Sequence, residues 1–354
     1  MRMVRTGLAL ACFICALVGM CALPYLDCPE ESRVETRKLY VATCDTRMGW
    51  KSHNALRAWN STGHRLREDD NLHMENVCYA KSWGKHGFLT KPMLYKKFML
   101  RLPENAYVIL MDSDTFWAVR SLKRLWHKFD CARGGKDVVL STEMQCWVGR
   151  YCTADDLKRW YSNLANTPSY SPFANSGIVM GRADKIIKML SFVTEHNADY
   201  FVEKPGGKMK FDDQYAIADY AINVNPADVA LDYHQQLLAS FSIHTPQETN
   251  VIDTNWGFVC KQKDGSISMN CPDFTNRMNR RGFFHLDEDT CLVTRKINPR
   301  TDLLEYVRTL APDPAIWHGN GVGKRLYIPL MDMVWNCELT KRGMSIDDFH
   351  KSNE

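Results

Sequence analysis

YVILMDSDTFWAV, residues 107–119, decides how the rest of this 354-residue chain is read. Its apolar run from Tyr107 to Met111 ends abruptly in Asp112-Ser113-Asp114. An unbroken apolar run suits a strand buried on both faces of a parallel sheet. The two acids then fall at that strand's carboxyl end, where open α/β sheets gather their ligands. Two carboxylates one residue apart at a sharp turn can share one hard cation, which takes several oxygen ligands but few from the protein. A solvated acidic turn has the same D-x-D spelling, so the surrounding chain has to carry the weight.

Working outward, strand and helix patterns alternate. LYVAT (residues 39–43) reads as the first buried strand. Thr90 is expected to cap a helix with Pro92 near its start and Met93, Leu94, Phe98 and Met99 as its apolar stripe. After the acidic turn, a helix from Ser121 carries Leu122, Leu125, Trp126 and Phe129 on one side. VVLST (138–142) is another strand, 155–166 another amphipathic helix, and GIVMG (177–181) a further strand followed by a helix from Asp184. This alternation predicts an α/β domain, a Rossmann-type mostly parallel sheet flanked by helices on both faces. Beyond residue 245 the pattern loosens. Residues 250–279 are polar, and GFFHL (282–286) is expected as an antiparallel edge strand.

The N-terminus speaks to location. Arg2 and Arg5 precede an uncharged stretch, residues 6–26, followed by Asp27, Glu30 and Glu31. That is long enough to cross a bilayer, with the positive flank on the cytoplasmic side. The reading is a five-residue cytoplasmic tail, a signal anchor (6–26), a short stem (27–37), a lumenal domain (38–345) and a tail (346–354). A cleaved signal peptide is the rival, because small residues lie near Ala22. Either way the domain enters the secretory pathway; the span length favours an uncleaved anchor and so a single-pass type II protein of Golgi or endoplasmic reticulum with a lumenal domain, with secretion after cleavage as the alternative. Ten of the 13 cysteines lie beyond the span, without a C-x-x-C pair, which argues for disulfides in an oxidising lumen rather than zinc; Cys260 with Cys271 is the first expected pairing. Asn60 opens a possible glycosylation acceptor. A net charge of +4 with dispersed Lys and Arg gives no support to a nucleic-acid partner. The oligomeric state is not legible.

Four further stretches carry chemistry-bearing residues: STEMQCW (141–147), FANSGIVMG (173–181), KFDDQYAIADY (210–220) and WHGNGVGK (317–324). Each has a bland reading. Asp212 and Asp213 could cap a helix; Trp147 could be core, Asn175 a turn residue and His318 a structural histidine. The last stretch resists dismissal. Gly319, Gly321 and Gly323 let the backbone approach an anion, and Lys324 adds a point charge. It matches neither the Walker loop nor G-x-G-x-x-G, and a diphosphate bound through a metal suits it better than a dinucleotide or ATP.

Taken in order, LYVAT, TKPMLYKK, VILMDSD, STEMQCW, FANSGIVMG, FDDQ, LDYHQQLLASF and HGNGVGK resemble the glycosyltransferase domain of the procollagen-lysine hydroxylase/glucosyltransferase (lysyl hydroxylase) family, across residues 38–324. The resemblance implies a GT-A-like fold and a UDP-sugar donor with Mn²⁺. It implies Asp112, Asp114 and His318 as metal ligands and Thr43 beside the nucleoside. Lys91 and Lys324 would meet the phosphates, with Asn320 and the adjacent Gly319 and Gly321 shaping that loop and Ser113 also on the cofactor side, and Trp147, Asn175, Asp212 and Asp213 would line the sugar and acceptor side. There are departures. The metal acids are one residue closer together, and Ile178 replaces the family's glycine after N-S-G, which is expected to reshape the sugar pocket. The iron/2-oxoglutarate hydroxylase domain of that family is not expected within these 354 residues, so lysine hydroxylation is not predicted. The expected reaction is hexose transfer, of glucose or galactose, from UDP-sugar to a hydroxyl. The acceptor would be hydroxylysine of a collagen-like protein or another glycoprotein or glycan, with inversion or retention open. The alternatives are a Golgi galactosyl- or xylosyltransferase extending a glycan, or an inactive anchored module that binds sugar nucleotide or glycan.

Overall fold

The computed structural model describes residues 30–33, 35, 37–45, 71–78, 84–143, 173–204, 208–241, 260–261, 267–268, 284–289, 291–295, 313–319, 333–334, 336–337, 339–341 and 343. The expected anchor, the sequon, the 155–166 helix and Cys271 lie outside them. Among the described residues no helix is long and apolar enough to cross a membrane.

A nine-stranded sheet forms the centre. Its strands are β1 (Leu39–Cys44), β2 (Leu72–Asn76), β3 (Tyr107–Asp112), β4 (Thr115–Trp117), β5 (Val138–Glu143) and β6 (Phe173–Arg182). After the hairpin of β7 (Phe201–Lys204) and β8 (Lys208–Phe211), the sheet gains β9 (Val229–Leu231) and β10 (Leu238–Phe241). Two further small hairpins, β11 (Cys260–Lys261) with β12 (Ile267–Ser268) and β13 (Phe284–Asp287) with β14 (Leu292–Arg295), precede the last sheet strand, β15 (Ile316–Gly319). The spatial order is β2-β1-β3-β6-β5-β10-β15-β4, with β9 on β5. Five pairings are parallel; β3–β6, β5–β6 and β15–β4 are antiparallel.

The mostly parallel α/β expectation therefore holds, with one correction at its centre. β6 runs against both neighbours, and it begins at Phe173 rather than Gly177, so Asn175-Ser176-Gly177 lies inside a strand. GFFHL is corrected too: Phe284–Asp287 pairs with Leu292–Arg295 in its own hairpin, off the main sheet.

Side-chain alternation splits the core into two layers. Val108 and Leu110 of β3 face α1 (Thr90–Met99), α3 (Ala183–Glu195) and α4 (Asp213–Asp219), meeting Phe98, Ile186, Met189 and Ala216. Ile109 and Met111 face the other way, onto Leu122, Leu125, Trp126 and Phe129 of α2 (Leu122–Arg133). Each such side chain, fully buried, contributes on the order of 2 kcal/mol. α2 starts as its sequence dictates: Ser121 Oγ accepts from the Arg124 N–H at 3.2 Å, and Gly134 closes the helix at φ +53°. α1 does not. Leu89, the last residue of a 3₁₀ turn (Gly84–Leu89), sits at the cap without a side-chain bond, and Thr90 is already helical. Its inward face is Lys91, Pro92, Tyr95, Phe98 and Met99, while Met93 is exposed. The helix is thus turned so that a lysine enters the protein.

Two disulfides have both cysteines among the described residues, Cys44–Cys78 and Cys291–Cys337, as an oxidising compartment would allow. Cys44–Cys78 ties the end of β1 to the turn after β2.

Candidate active site

The acidic turn comes first. β3 ends at Asp112, and its main-chain carbonyl accepts a bond from Thr115 Oγ1 at 2.8 Å, which tightens the step into β4. β4 pairs antiparallel with β15, setting Thr115 opposite His318, and Gly319 N–H donates to the Asp114 carbonyl at 2.9 Å. Sheet pairing alone therefore carries the distant W-H-G segment to the D-S-D turn. His318 Nε2 comes to 3.6 Å from Asp112 Oδ2, with the histidine only 2 % exposed. Asp114 is buried and Ser113 half-buried at the same turn.

Lys91 closes the other side. Its ammonium lies 3.0 Å from Asp112 Oδ1 and 2.6 Å from Asp213 Oδ2. Burial by itself pulls this lysine's pKa down. The charges of Asp112 and Asp213, with Tyr95, more than offset that and hold it well above the ordinary lysine value. Tyr95 lies beneath, its hydroxyl donating to the Met111 carbonyl at 2.8 Å. Burial first, and then Asp112, push its pKa far up, so it stays a neutral phenol.

The two acids of the D-D-Q stretch divide their work. Asp212 is the N-cap of α4, with Oδ1 accepting from Tyr215 N–H at 3.1 Å. Asp213, one residue on, turns to Lys91 and accepts from Ser176 Oγ at 3.3 Å. The next residue, Gln214, enters a buried polar chain. Its amide donates to Glu143 and its Oε1 accepts from Asn175 Nδ2 at 3.3 Å. Asn175 Oδ1 accepts from Gly177 N–H at 2.8 Å and from Ser141 Oγ at 3.3 Å. Asn175 is thus a buried hub behind the acids. Gly177 in turn supports the histidine, since a Cβ there would stand 2.0 Å from His318 Cε1.

Thr43, at the end of β1, keeps a buried Oγ1 with no hydrogen-bond partner among the described residues. A buried hydroxyl left so is costly unless a ligand meets it. Ile178 is placed away from all this. Its side chain is fully buried in the α2 layer with Met180, Leu238 and Ile316, so it does not line the pocket. Trp147, Asn320, Gly321 and Lys324 lie outside the described residues. Glu143, Gln214, Ser176, Gly177 and Ser240 carry no role in the sequence reading. Their signal was present in the quoted blocks, but only the strand register turns it into contacts.

Among the described residues, no three His, Cys, Asp or Glu side chains are grouped to hold an ion. The pair Asp112–His318 nevertheless fits one. Two adjacent donors about 2.1 Å from a small divalent cation stand roughly 3.0–3.4 Å apart, close to the observed 3.6 Å. A carboxylate with an imidazole suits Mn²⁺-like ions, and such ions keep waters and substrate phosphates as their remaining ligands.

No family model matches the chain, and no curated protein matches its sequence. Solved structures of similar shape include a glycosyltransferase involved in glycosylation of the major capsid of PBCV-1, at 10% identity and TM-score 0.41, covering 83% of this chain and 98% of that one. Mouse xyloside xylosyltransferase 1 gives 12% and 0.38, over 80% and 97% of the two chains. The galactosyltransferase LgtC, solved with donor and acceptor sugar analogs, gives 13% and 0.40, over 83% and 95%. Likeness at this level does not establish a shared fold, and the reading of the site rests on its own residues.

Proposed function

We propose that this chain is a GT-A-like glycosyltransferase moving a hexose, glucose or galactose, from a UDP-sugar to a hydroxyl acceptor with the help of a divalent cation such as Mn²⁺. The observation that carries the reading is the meeting of His318 with Asp112 at 3.6 Å, beside an ammonium shared with Asp213. The motif order supports it independently, as does the unpartnered Thr43 hydroxyl where a nucleoside would lie. Asp112 and His318, with Asp114 at the same turn, would hold the cation, which offsets negative charge on the departing diphosphate. Lys91 adds fixed positive charge at that point. Its bond to Asp213 holds that carboxylate at the sugar side, where it steadies positive charge at the anomeric carbon or accepts the acceptor's proton. Asp212 acts through α4 by fixing where Asp213 begins.

The acceptor in this reading is hydroxylysine of a collagen-like protein or a related glycoprotein or glycan, reached in the lumen of Golgi or endoplasmic reticulum by a domain on an N-terminal anchor. Trp147, Asn320, Gly321 and Lys324 complete the donor and acceptor sides. The test is a panel of UDP-hexoses given to the full-length protein in detergent with Mn²⁺, reading UDP release. One sugar should be hydrolysed slowly without acceptor, and Asp112→Asn should abolish it. No release from any hexose, with tight UDP binding retained, would leave a binding module instead; full turnover in Asp112→Asn would remove the site.

A further inference from the structure

The LDYHQQLLASF block has a recognisable sequence but no chemical role in anything above. Its geometry supplies one. Asp232 is 3 % exposed, and its carboxylate accepts three main-chain bonds: from Gln236 N–H at 3.0 Å on Oδ1, and from Leu237 and Leu238 N–H, each at 2.8 Å, on Oδ2. Gln235, at φ +50°, sends its amide nitrogen to the carbonyls of Thr142 at 3.0 Å and Ser240 at 3.2 Å. Thr142 Oγ1 returns a bond to the Asp232 carbonyl at 2.8 Å. A buried carboxylate and a residue in a left-handed conformation are both unfavourable by themselves. Both are held here to fix one short strand, β10, whose residue Ser240 stands in register opposite His318.

Ser240 Oγ lies 3.4 Å from His318 Nδ1, and both side chains are buried. The ring's face lies on Gly177, and its other nitrogen faces Asp112 at 3.6 Å. A neutral imidazole has one N–H and one lone pair, and the partner of one nitrogen decides the state of the other. We infer that Ser240 is a positioning residue: its hydroxyl accepts the Nδ1–H of His318, so that the Nε2 lone pair is turned toward Asp112 and held ready for a divalent cation. The rest of the block, from Asp232 to Gln235, is the scaffold that presents this hydroxyl. The inference deepens the function proposed above and rests on its cation site, but the proton's location is a property of the protein alone.

Imidazole ¹⁵N spectra of the cation-free, full-length protein test it, with His318 identified by loss of its signals in His318→Gln. The expected result is a protonated Nδ1 and an unprotonated Nε2. Ser240→Ala should mix the two tautomers and weaken Mn²⁺ binding, read by titration, about tenfold, whereas Ser240→Thr keeps the hydroxyl and the wild-type pattern. Wild-type protein with its proton on Nε2, or Ser240→Ala with tautomer and Mn²⁺ affinity unchanged, overturns the inference. Should the tautomer shift as expected while wild-type protein binds no Mn²⁺, the positioning of His318 by Ser240 stands and the metal reading of the site falls.

Discussion

Gly177→Ala is the sharpest probe of how the site is packed. An ideal Cβ at this position would lie 2.0, 2.4 and 2.7 Å from Cε1, Nδ1 and Nε2 of His318. Comfortable carbon contacts begin at about 3.5 Å, so the ring would have to withdraw by roughly 1.5 Å. It has little freedom to do so at 2 % exposure, with Ser240 on one edge and Asp112 on another. Overpacking of this kind costs about 1–3 kcal/mol, and losing the Ser240 contact adds about 1, for an expected loss of about 2–4 kcal/mol. Urea unfolding of the two proteins should show the midpoint falling with the slope unchanged. The decisive comparison is the same substitution in a His318→Ala background. The backbone at Gly177 is not left-handed, so with the ring gone alanine should be neutral or slightly stabilising, leaving a coupling of about 2–4 kcal/mol. Equal losses in both backgrounds would show that the glycine answers to something other than the histidine.

Three further outcomes are expected. Lys91→Met leaves Asp112 and Asp213 facing each other without their shared cation and should cost about 3 kcal/mol at neutral pH. The wild-type lysine's folded pKa is raised, so its contribution is fully present below the ordinary lysine pKa and is lost only as pH rises through the folded value. The gap between the two proteins, followed by unfolding at a series of pH values, should therefore stay level from neutral pH to about pH 10 and shrink only at more alkaline pH. Asp232→Asn substitutes a donor for an oxygen that accepts main-chain N–H groups, and should cost about 2–4 kcal/mol by the same unfolding assay. Cys44→Ser with Cys78→Ser opens a link closed over a separation of 34 residues and should cost about 3–4 kcal/mol; because Cys44 pairs in register with Asp112, UDP affinity measured by calorimetry should fall as well.

Much of this architecture is legible where one signal dominates. The apolar run before Asp112 gives β3, and Ser121 with its periodic Leu and Trp residues gives α2, because burial and capping there agree. The sequence misleads where the deciding partner is remote. Nothing in FANSGIVMG states which way its neighbours run, so β6 reads as one more parallel strand starting at Gly177. Once it begins at Phe173, period-two alternation sends Ile178 into the α2 layer rather than the pocket. Thr90 looks like a cap because local chemistry favours it, but the preceding 3₁₀ turn has already begun the helix. Asp212 and Asp213 are indistinguishable as letters. The rotation of α4 alone makes one a cap and the other the partner of Lys91. Ser240 shows the limit most clearly, since a serine between Ala239 and Phe241 carries no signal until β10 lies against β15.

The D-S-D turn matters to the fold as much as to the chemistry. β3 is third in the sheet order and β4 is last, five positions away. Across a flat sheet that distance is about 24 Å, at roughly 4.8 Å per strand. Yet only Ser113 and Asp114 join the two strands, and three residue steps reach about 10 Å at full extension. The sheet must therefore curl until its far edge returns to its middle, and the register irregularity between Leu140 and Ser141, where β5 meets β6, lies on the path that bends. Curling gathers the ends of β3, β10 and β15 into one cup, and the short acidic link lies across its rim. A longer, more flexible connection would relax the demand for closure and let His318 drift from Asp112. The brevity of D-S-D, which looks like a departure when read as a metal motif, is what brings a histidine on β15, the strand beside β4, to an acid on β3.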